Sequence, residues 1–372
     1  MEPLAILFGA TFTVATATAL GSVLLGDRCR DYAMRFVSGA ALLSLLVFFL
    51  SSVGLAYPAV FLLVGAGALA SAVVTRRRQV EGKQAAPIPV IAKYVFGPIV
   101  AAYFVIYLIN AMAPEVSPDG SAYHLSFVAF YLRSHGFRPI TWNLYASLSE
   151  GVEMLFLFAF AFGRNSAAAM VHFAFLLALA WQVFSLGRRA GFPIAGGCAS
   201  VLVFASPIVG YDGTSAYNDV ALAAVAFTLF YLLQLWAESG SKRLLVAIGI
   251  VAGFCYGVKY TGWPAVVYAV AFVLWKRRNW RDAALVAGCA VPLIAPWMIK
   301  NWLWVQNPVA PFFNEYFRNA YVTIAFEKEY TNYFKLYDLA SRWQIPRAAM
   351  VSGQLQGLLG PVFLLAPLSL LA

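Results

Sequence analysis

Glu153-Met154-Leu155-Phe156-Leu157-Phe158-Ala159-Phe160-Ala161-Phe162-Gly163 is the stretch on which the topology of this chain turns. It is apolar enough to enter a bilayer, yet at about eleven residues it falls short of the ~20 that an α-helix needs to cross the hydrocarbon. Reading it as a span would move every later connection to the other side. Arg188/Arg189, Lys242/Arg243 and Lys276, Arg277 and Arg278 would then face away from the earlier basic connections at Arg28, Arg30, Arg35 and at Arg76, Arg77, Arg78, Lys83. Cytoplasmic loops concentrate Lys and Arg, so all five basic connections belong together. The stretch is therefore expected to be a short interfacial or re-entrant helix, followed by a separate span.

Around it the chain is mostly apolar: 62% hydrophobic and only 11% charged, with a mean hydropathy of +0.76. A soluble domain is nearer half apolar and one-quarter charged, so the solvent here is lipid and the backbone must satisfy itself in helices. The short alternating segments of a membrane β-barrel are absent. An all-α transmembrane bundle of about eleven spans follows, near 4–25, 36–55, 58–75, 92–112, 165–187, 192–210, 219–238, 243–259, 262–276, 282–299 and 354–372.

The basic connections place the N-terminus and two long loops, 113–164 and 300–353, on the outer side. In a bacterial-type plasma membrane that side is the periplasmic or extracytoplasmic one. The stretch 4–25 follows Glu2 and precedes Arg28 and Arg30, the reverse of a secretory signal's charge order, so it is expected to stay as a span. The polar, proline-containing stretch from Arg76 to Pro89 divides the chain into 1–89, three helices with a basic cytoplasmic linker, and 90–372. Because the last span ends at Ala372 with no polar tail, that second module reads as truncated. The net charge of +10 is explained by the short basic loops, which argues against nucleic acid as a partner. Cys29, Cys198, Cys255 and Cys289 show no disulfide or metal-ligand spacing.

The outer connections hold the polar residues that could carry chemistry. The first opens as Pro114-Glu115-Val116-Ser117-Pro118-Asp119-Gly120-Ser121-Ala122-Tyr123-His124, placing a carboxylate, a phenol and an imidazole where a span leaves the membrane. Asp119 and Tyr123 share a helical face. A base acting on a lipid-borne substrate needs such a position, although Ser117 as N-cap, Pro118 at the first helical position and Asp119 on the dipole is the plainer reading. From Tyr123 to Leu132 an amphipathic surface helix is expected.

Glu150 and Glu153 lie three residues apart at the start of the short apolar helix, and Glu153, deeper in the run, is the better candidate. Asp219 begins a later span after Asn218, so it is either a dipole partner of that helix or a functional acid. Asp119 and Asp219 together could hold a divalent cation, magnesium or manganese, or divide base and orienting roles. Lys259, followed by Tyr260, could hold a lipid phosphate or simply snorkel. Lys300, Asn301, Arg318, Lys328, Lys335, Arg342 and Arg347 stand in an aromatic-rich loop suited to phosphate and sugar. His172, alone on an apolar helix, reads as a core histidine. No phosphate-cradling lysine loop, HExxH or GxSxG motif is present.

In order, Ser117-Pro118-Asp119 through Tyr123-His124-Leu125, Glu150-Gly151-Val152-Glu153-Met154-Leu155, Ser215-Ala216-Tyr217-Asn218-Asp219, Lys259-Tyr260-Thr261-Gly262 and Asn307-Pro308-Val309-Ala310-Pro311-Phe312 resemble the polytopic glycosyltransferases of the GT-C superfamily. The bacterial branch similar to protein O-mannosyltransferases and lipid A aminoarabinose transferases is the nearest. The resemblance implies inverting transfer of a sugar from a polyprenyl-phosphate donor to a lipid, glycan or protein acceptor at the outer face. Asp119 would be the general base, Asp219 and Glu153 further catalytic acids, and Tyr123, His124, Lys259, Tyr260, Lys300 and Arg318 the substrate-binding residues. The chain departs from the protein O-mannosyltransferases in carrying one acid, Asp119, where they have an adjacent acidic pair. The rival readings are a transporter or flippase for an amphipathic or lipid-linked substrate, and an assembly subunit. The first requires mid-membrane charge, which the spans nearly lack.

Overall fold

The structure, a computed structural model, describes residues 3–74, 86–333, 339, 341–354 and 357–371. Arg76, Arg77, Arg78, Lys83 and Lys335 lie outside the described residues. Among the described residues every regular element is helical: α1 Pro3–Leu25, α2 Tyr32–Ser52, α3 Pro58–Val74, α4 Val90–Met112, α5 Leu125–Arg133, α6 Gly151–Arg189, α7 Pro193–Phe204, α8 Pro207–Thr214, α9 Asp219–Ser239, α10 Lys242–Val258, α11 Pro264–Arg277, α12 Trp280–Val305 and α13 Ile324–Tyr333. Six of these are long and apolar enough to cross a membrane: α1, α2, α4, α6, α9 and α12. The α7–α8 pair makes a seventh if it counts as one span.

Two of the expected spans are corrected. The 192–210 stretch is broken, because Pro207 forces Ser206 into an extended conformation, and α8 leaves α7 at 64°. Among the described residues of 354–372 there is no α-helix: Pro361 to Leu371 winds as a 3₁₀ helix, with Pro367 inside and glycines 357 and 360 just before it.

The decisive stretch is set off from the rest of its helix by a single residue. Helix α6 contains one non-helical residue, Arg164, at φ 59° and ψ −149°. Before that break the helix runs along one end of the bundle. Gly151 lies against the Gly257 carbonyl at the close of α10, and a side chain at Gly163 would strike the Ala5 carbonyl near the start of α1. Unlike an interfacial helix facing lipid, it is enclosed: Val152 through Phe160 are buried, with Phe158 stacked against Phe12 and Phe61. The Ser44 hydroxyl of α2 donates to the Gly151 carbonyl.

In a lipid solvent apolar surface alone does not hold helices together, so close packing must. A side chain added at Gly21 would sit 1.7 Å from the Arg35 carbonyl oxygen, and one at Gly39 1.8 Å from that of Ala17. The α1–α2 crossing therefore admits glycine only. The α10–α12 crossing repeats the device, with Gly253 against the Ala290 carbonyl.

Basic side chains collect at the opposite end, where the last carbonyls of α1 lack partners within their own helix. Arg243 reaches the carbonyls of Val23 and Leu24, Arg188 donates to Ala86, and Arg189 pairs with Glu238.

Candidate active site

Where α9 begins, its free N–H groups are claimed by side chains from other helices. Asp212 of α8 accepts from the Val220 amide at 2.8 Å, and His172 of α6 accepts from the Ala221 amide at 3.1 Å. His172 Nδ1 lies 2.8 Å from the Ser215 carbonyl, so both ring nitrogens have backbone partners, as expected of a core histidine. Capping from outside leaves Asn218 and Asp219 free. Asn218 turns inward, donating its amide to Glu153 at 3.2 Å and to the Val258 carbonyl. Asp219 turns outward, and its carboxylate takes the Lys259 ammonium at 2.6 Å. Asp219 keeps its place in the first turn of α9, as the helix-dipole reading expects, and adds a partner forty residues on.

Glu115, which the sequence did not single out, ties the two outer loops together. One carboxylate oxygen accepts from the Ser117 amide and the other from the Ala216 amide. Asp119 stands beside this staple, exposed, with the Tyr123 hydroxyl 3.4 Å from its carboxylate. Ser117 gives no side-chain cap to the turn Gly120–His124, and that turn runs directly into α5. The expected surface helix is thus present, but Leu125, Phe127, Val128 and Tyr131 bury one face of it against protein.

These elements enclose a chamber of 540 Å³ lined by Asp119, Tyr123, His124, Tyr145, Glu150, Glu153, Asn218, Lys259 and Tyr260, with Phe127, Phe312 and Tyr330 among its aromatic walls. Tyr123 stacks on Tyr145 at 4.5 Å, and the Tyr330 hydroxyl donates to that of Tyr145. Burial, and then the neighbouring Asp119 charge, push the Tyr123 phenol up and keep it a proton donor.

At the floor, Glu153 is 2% exposed and lies 2.5 Å from His124 Nδ1. Glu150 accepts from the Tyr131 hydroxyl and has Lys300 at 3.8 Å. Burial raises the Glu150 carboxyl to about 7, the charge of Glu153 adds to the rise, and Lys300 and Tyr131 oppose it. One carboxylate oxygen on each glutamate, Oε2 in both, is buried without a hydrogen-bond partner.

Five of the nine site residues expected from sequence, Asp119, Tyr123, His124, Glu153 and Lys259, therefore face one chamber with functional atoms at or near it. Tyr260 lines it too, but its hydroxyl donates to the Ser147 carbonyl and accepts from Asn301, so it braces the wall. Asp219 reaches the chamber through Lys259. Lys300 is enclosed by Phe137, Trp297 and Trp304, donates to the Ala146 carbonyl and pairs with Glu150. Arg318 lies in a separate surface depression with Trp302 and Tyr316. Lys328 pairs with Glu315, and Arg342 and Arg347 are exposed. Sequence reasoning overlooked Asn218 as a contact of Glu153, and Tyr145 and Tyr330 as chamber walls. For Asn218 the signal was its place next to Asp219; for the tyrosines there was none.

As a metal site the expected pair is poor. Among the described residues no three His, Cys, Asp or Glu side chains converge as a donor set, and the Asp219 carboxylate already has an ammonium partner. A magnesium or manganese ion asks for several oxygen ligands, so no step is routed through one here.

The architecture is that of a multi-pass helical membrane protein with carboxylate, imidazole, phenol and ammonium groups gathered in one chamber at the end of the bundle. Residues 153–304 match the family described as dolichyl-phosphate-mannose-protein mannosyltransferase, a match that supports a GT-C-type membrane glycosyltransferase. The matched stretch holds Glu153, Asp219, Lys259 and Lys300, and begins after Asp119. No curated protein and no solved structure shows significant similarity to the chain. Of the three readings that the sequence left open, the family match supports the enzyme over the transporter and the assembly subunit.

Proposed function

We propose that this protein moves a sugar from a polyprenyl-phosphate donor to an acceptor hydroxyl, with inversion at the anomeric carbon and Asp119 as general base. The observation that carries the reading is the single chamber in which Asp119 and Lys259 both stand. A polyprenyl donor arrives from the bilayer with a phosphate at the membrane surface, and that phosphate needs a cation. Lys259 is the ammonium on the chamber wall, and Asp219 fixes its direction. The acceptor oxygen attacks the anomeric carbon opposite the phosphate. Its proton passes to the Asp119 carboxylate, while the bond from the anomeric carbon to the phosphate oxygen breaks and its electron pair leaves with polyprenyl phosphate. Lys259 stabilises the charge gathering on that oxygen.

The positive-inside rule, applied to Arg188, Arg189, Lys242, Arg243 and Lys276 through Arg278, puts the chamber on the periplasmic or extracytoplasmic face of a bacterial-type plasma membrane. The acceptor is a lipid, glycan or protein presented there.

The test is release of polyprenyl phosphate from a panel of polyprenyl-phosphate hexoses by protein reconstituted in lipid, with membrane extract supplying acceptors. Asp119→Asn is expected to lower kcat by about 10²–10⁴-fold, the usual worth of a positioned base, with polyprenyl-phosphate binding intact. Lys259→Ala is expected to weaken binding of polyprenyl phosphate itself by about tenfold or more, in line with the loss of a charge-assisted contact. Full turnover by Asp119→Asn would remove the base assignment.

A further inference from the structure

The two groups that the transfer step needs stand on different segments. Asp119 belongs to the loop that follows α4, and Lys259 is aimed by Asp219 at the head of α9. Inversion fixes how far apart they must be, since the acceptor with its base lies on one side of the anomeric carbon and the phosphate with its cation on the other. Asp119 does little to set that span itself: its carboxylate meets the Tyr123 hydroxyl at 3.4 Å.

Glu115 is placed to set it. Its own footing is firm, because the Ala113 carbonyl just before it accepts from Ser166 of α6, and Asn110 donates to Thr214 of α8. Its carboxylate then reaches both segments. Oε1 accepts from the Ser117 amide at 2.8 Å and Oε2 from the Ala216 amide at 2.6 Å. Both donors are main-chain N–H groups, so one charged side chain clasps backbone to backbone with no second flexible side chain between. Toward Asp119 the chain lies directly over the clasp: a Cβ added at Gly120 would come 2.7 Å from the Glu115 carboxyl carbon and 2.5 Å from Ser117 Oγ. Toward Lys259, Ala216 stands three residues before Asp219. Glu153 joins the same two segments at the floor, through His124 and Asn218, and Glu115 supplies the second tie, beside the base.

Resting on the glycosyl-transfer reading above, we propose that Glu115 is a positioning residue for the transfer, holding Asp119 at the distance from Lys259 at which base, anomeric carbon and phosphate line up. Glu115 is not among the side chains that line the chamber, so it acts through Asp119 and touches no reactant.

Two substitutions disturb the clasp from opposite sides. Glu115→Gln keeps the size of the side chain but turns an amide N–H₂ toward one of the two backbone donors and breaks that arm. Gly120→Ala leaves the carboxylate in place and pushes the Asp119 backbone off it. Each is made in the wild type and in Asp119→Asn. On protein reconstituted in lipid, release of polyprenyl phosphate from the same panel of donors gives kcat, and bare polyprenyl phosphate gives a dissociation constant.

Each substitution alone is expected to lower kcat by about tenfold to a hundredfold, the cost of misplacing a reacting group by about 1 Å. Affinity for bare polyprenyl phosphate should hold, because Lys259 keeps Asp219 and α9 keeps its Asp212 and His172 caps. In the Asp119→Asn background either substitution should change the residual rate by less than about twofold, since a clasp that acts through the carboxylate has nothing left to position. Wild-type kcat in either variant, or the same fold loss with and without the Asp119 carboxylate, overturns the positioning role. A loss of polyprenyl-phosphate affinity as large as the loss of rate overturns it too and makes Glu115 part of the scaffold alone. Where Glu115→Gln yields no folded protein, Gly120→Ala decides. Full turnover by Asp119→Asn is the separate mark of a failed base reading, and it takes this inference with it.

Discussion

Four carboxylates surround the chamber, and they divide by depth. Asp119 and Asp219 are at the rim, where Asp219 is 60% exposed and its Lys259 partner 38%. Glu150 and Glu153 are at the floor and almost wholly enclosed. At the rim, water screens charge, and an acid can shed or take a proton without disturbing the fold. At the floor, each acid needs partners to exist, and the helices supply Tyr131, Lys300, His124 and Asn218. The difference teaches that the rim acids stay open to water and ligands, whereas the floor acids are fixed by their partners within the fold.

The contrast breaks most visibly through rates. Asp119→Asn, with its expected loss of about 10²–10⁴-fold in kcat, should leave the thermal unfolding midpoint unmoved, because among the described residues its carboxylate meets the Tyr123 hydroxyl at 3.4 Å and no other side-chain hydrogen-bond donor. A shift of the midpoint as large as that of a floor variant would erase the distinction. For the floor the expectation is reversed. Lys300→Met leaves Glu150 without its cation and should cost about 3 kcal/mol of stability at pH 8, within the range for breaking a buried ion pair. Near pH 6, where Glu150 holds a proton, the cost should be smaller. Thermal unfolding at the two pH values measures both.

Asp219→Asn sharpens the rim side. Losing the carboxylate that aims Lys259 should weaken polyprenyl-phosphate binding by about threefold to tenfold, less than Lys259→Ala does. An effect equal to that of removing Lys259 would make Asp219 a direct participant instead of a positioning residue.

A last expected effect is a slope. Glu150 ordinarily titrates near 4.5 and is raised to about 7 in the fold. Between those values the native state keeps a proton that the unfolded chain has released. The stability this contributes is complete below pH 4.5 and is lost as the pH rises through about 7. Unfolding midpoints across pH 5 to 8 should therefore decline in the wild type and decline less in Glu150→Gln; parallel declines would place the titrating group elsewhere.

Much of this was legible in the sequence because lipid imposes strict rules. Recurring apolar runs near the length of a bilayer crossing are enough to anticipate an all-helical bundle. The burial of the short stretch that begins at Glu153 was not legible, since an apolar face says nothing about whether lipid or Phe12 and Phe61 will cover it. Nor was the break at Pro207 anticipated, where local proline geometry outweighed a continuous apolar run. For the site, sequence placed Asp119, Glu153, Asp219 and Lys259 at one end of the bundle. It could not pair Asp219 with Lys259, because that contact depends on α9 being capped by Asp212 and His172 rather than by its own first residues. Lys300 misled for a related reason: a cation in an aromatic loop looks available to phosphate, and three rings and Glu150 had already taken it.

Borrowed caps on α9 also bear on how the protein is made. Chains emerge from the ribosome N-terminus first, and both lenders, on α6 and α8, precede α9 in the sequence. When Asp219 leaves the exit tunnel, the groups that will close the first turn of its helix are already synthesised, whereas Lys259 is still forty residues away. The bundle end can thus be assembled in the order of translation, with the reactive rim completed last.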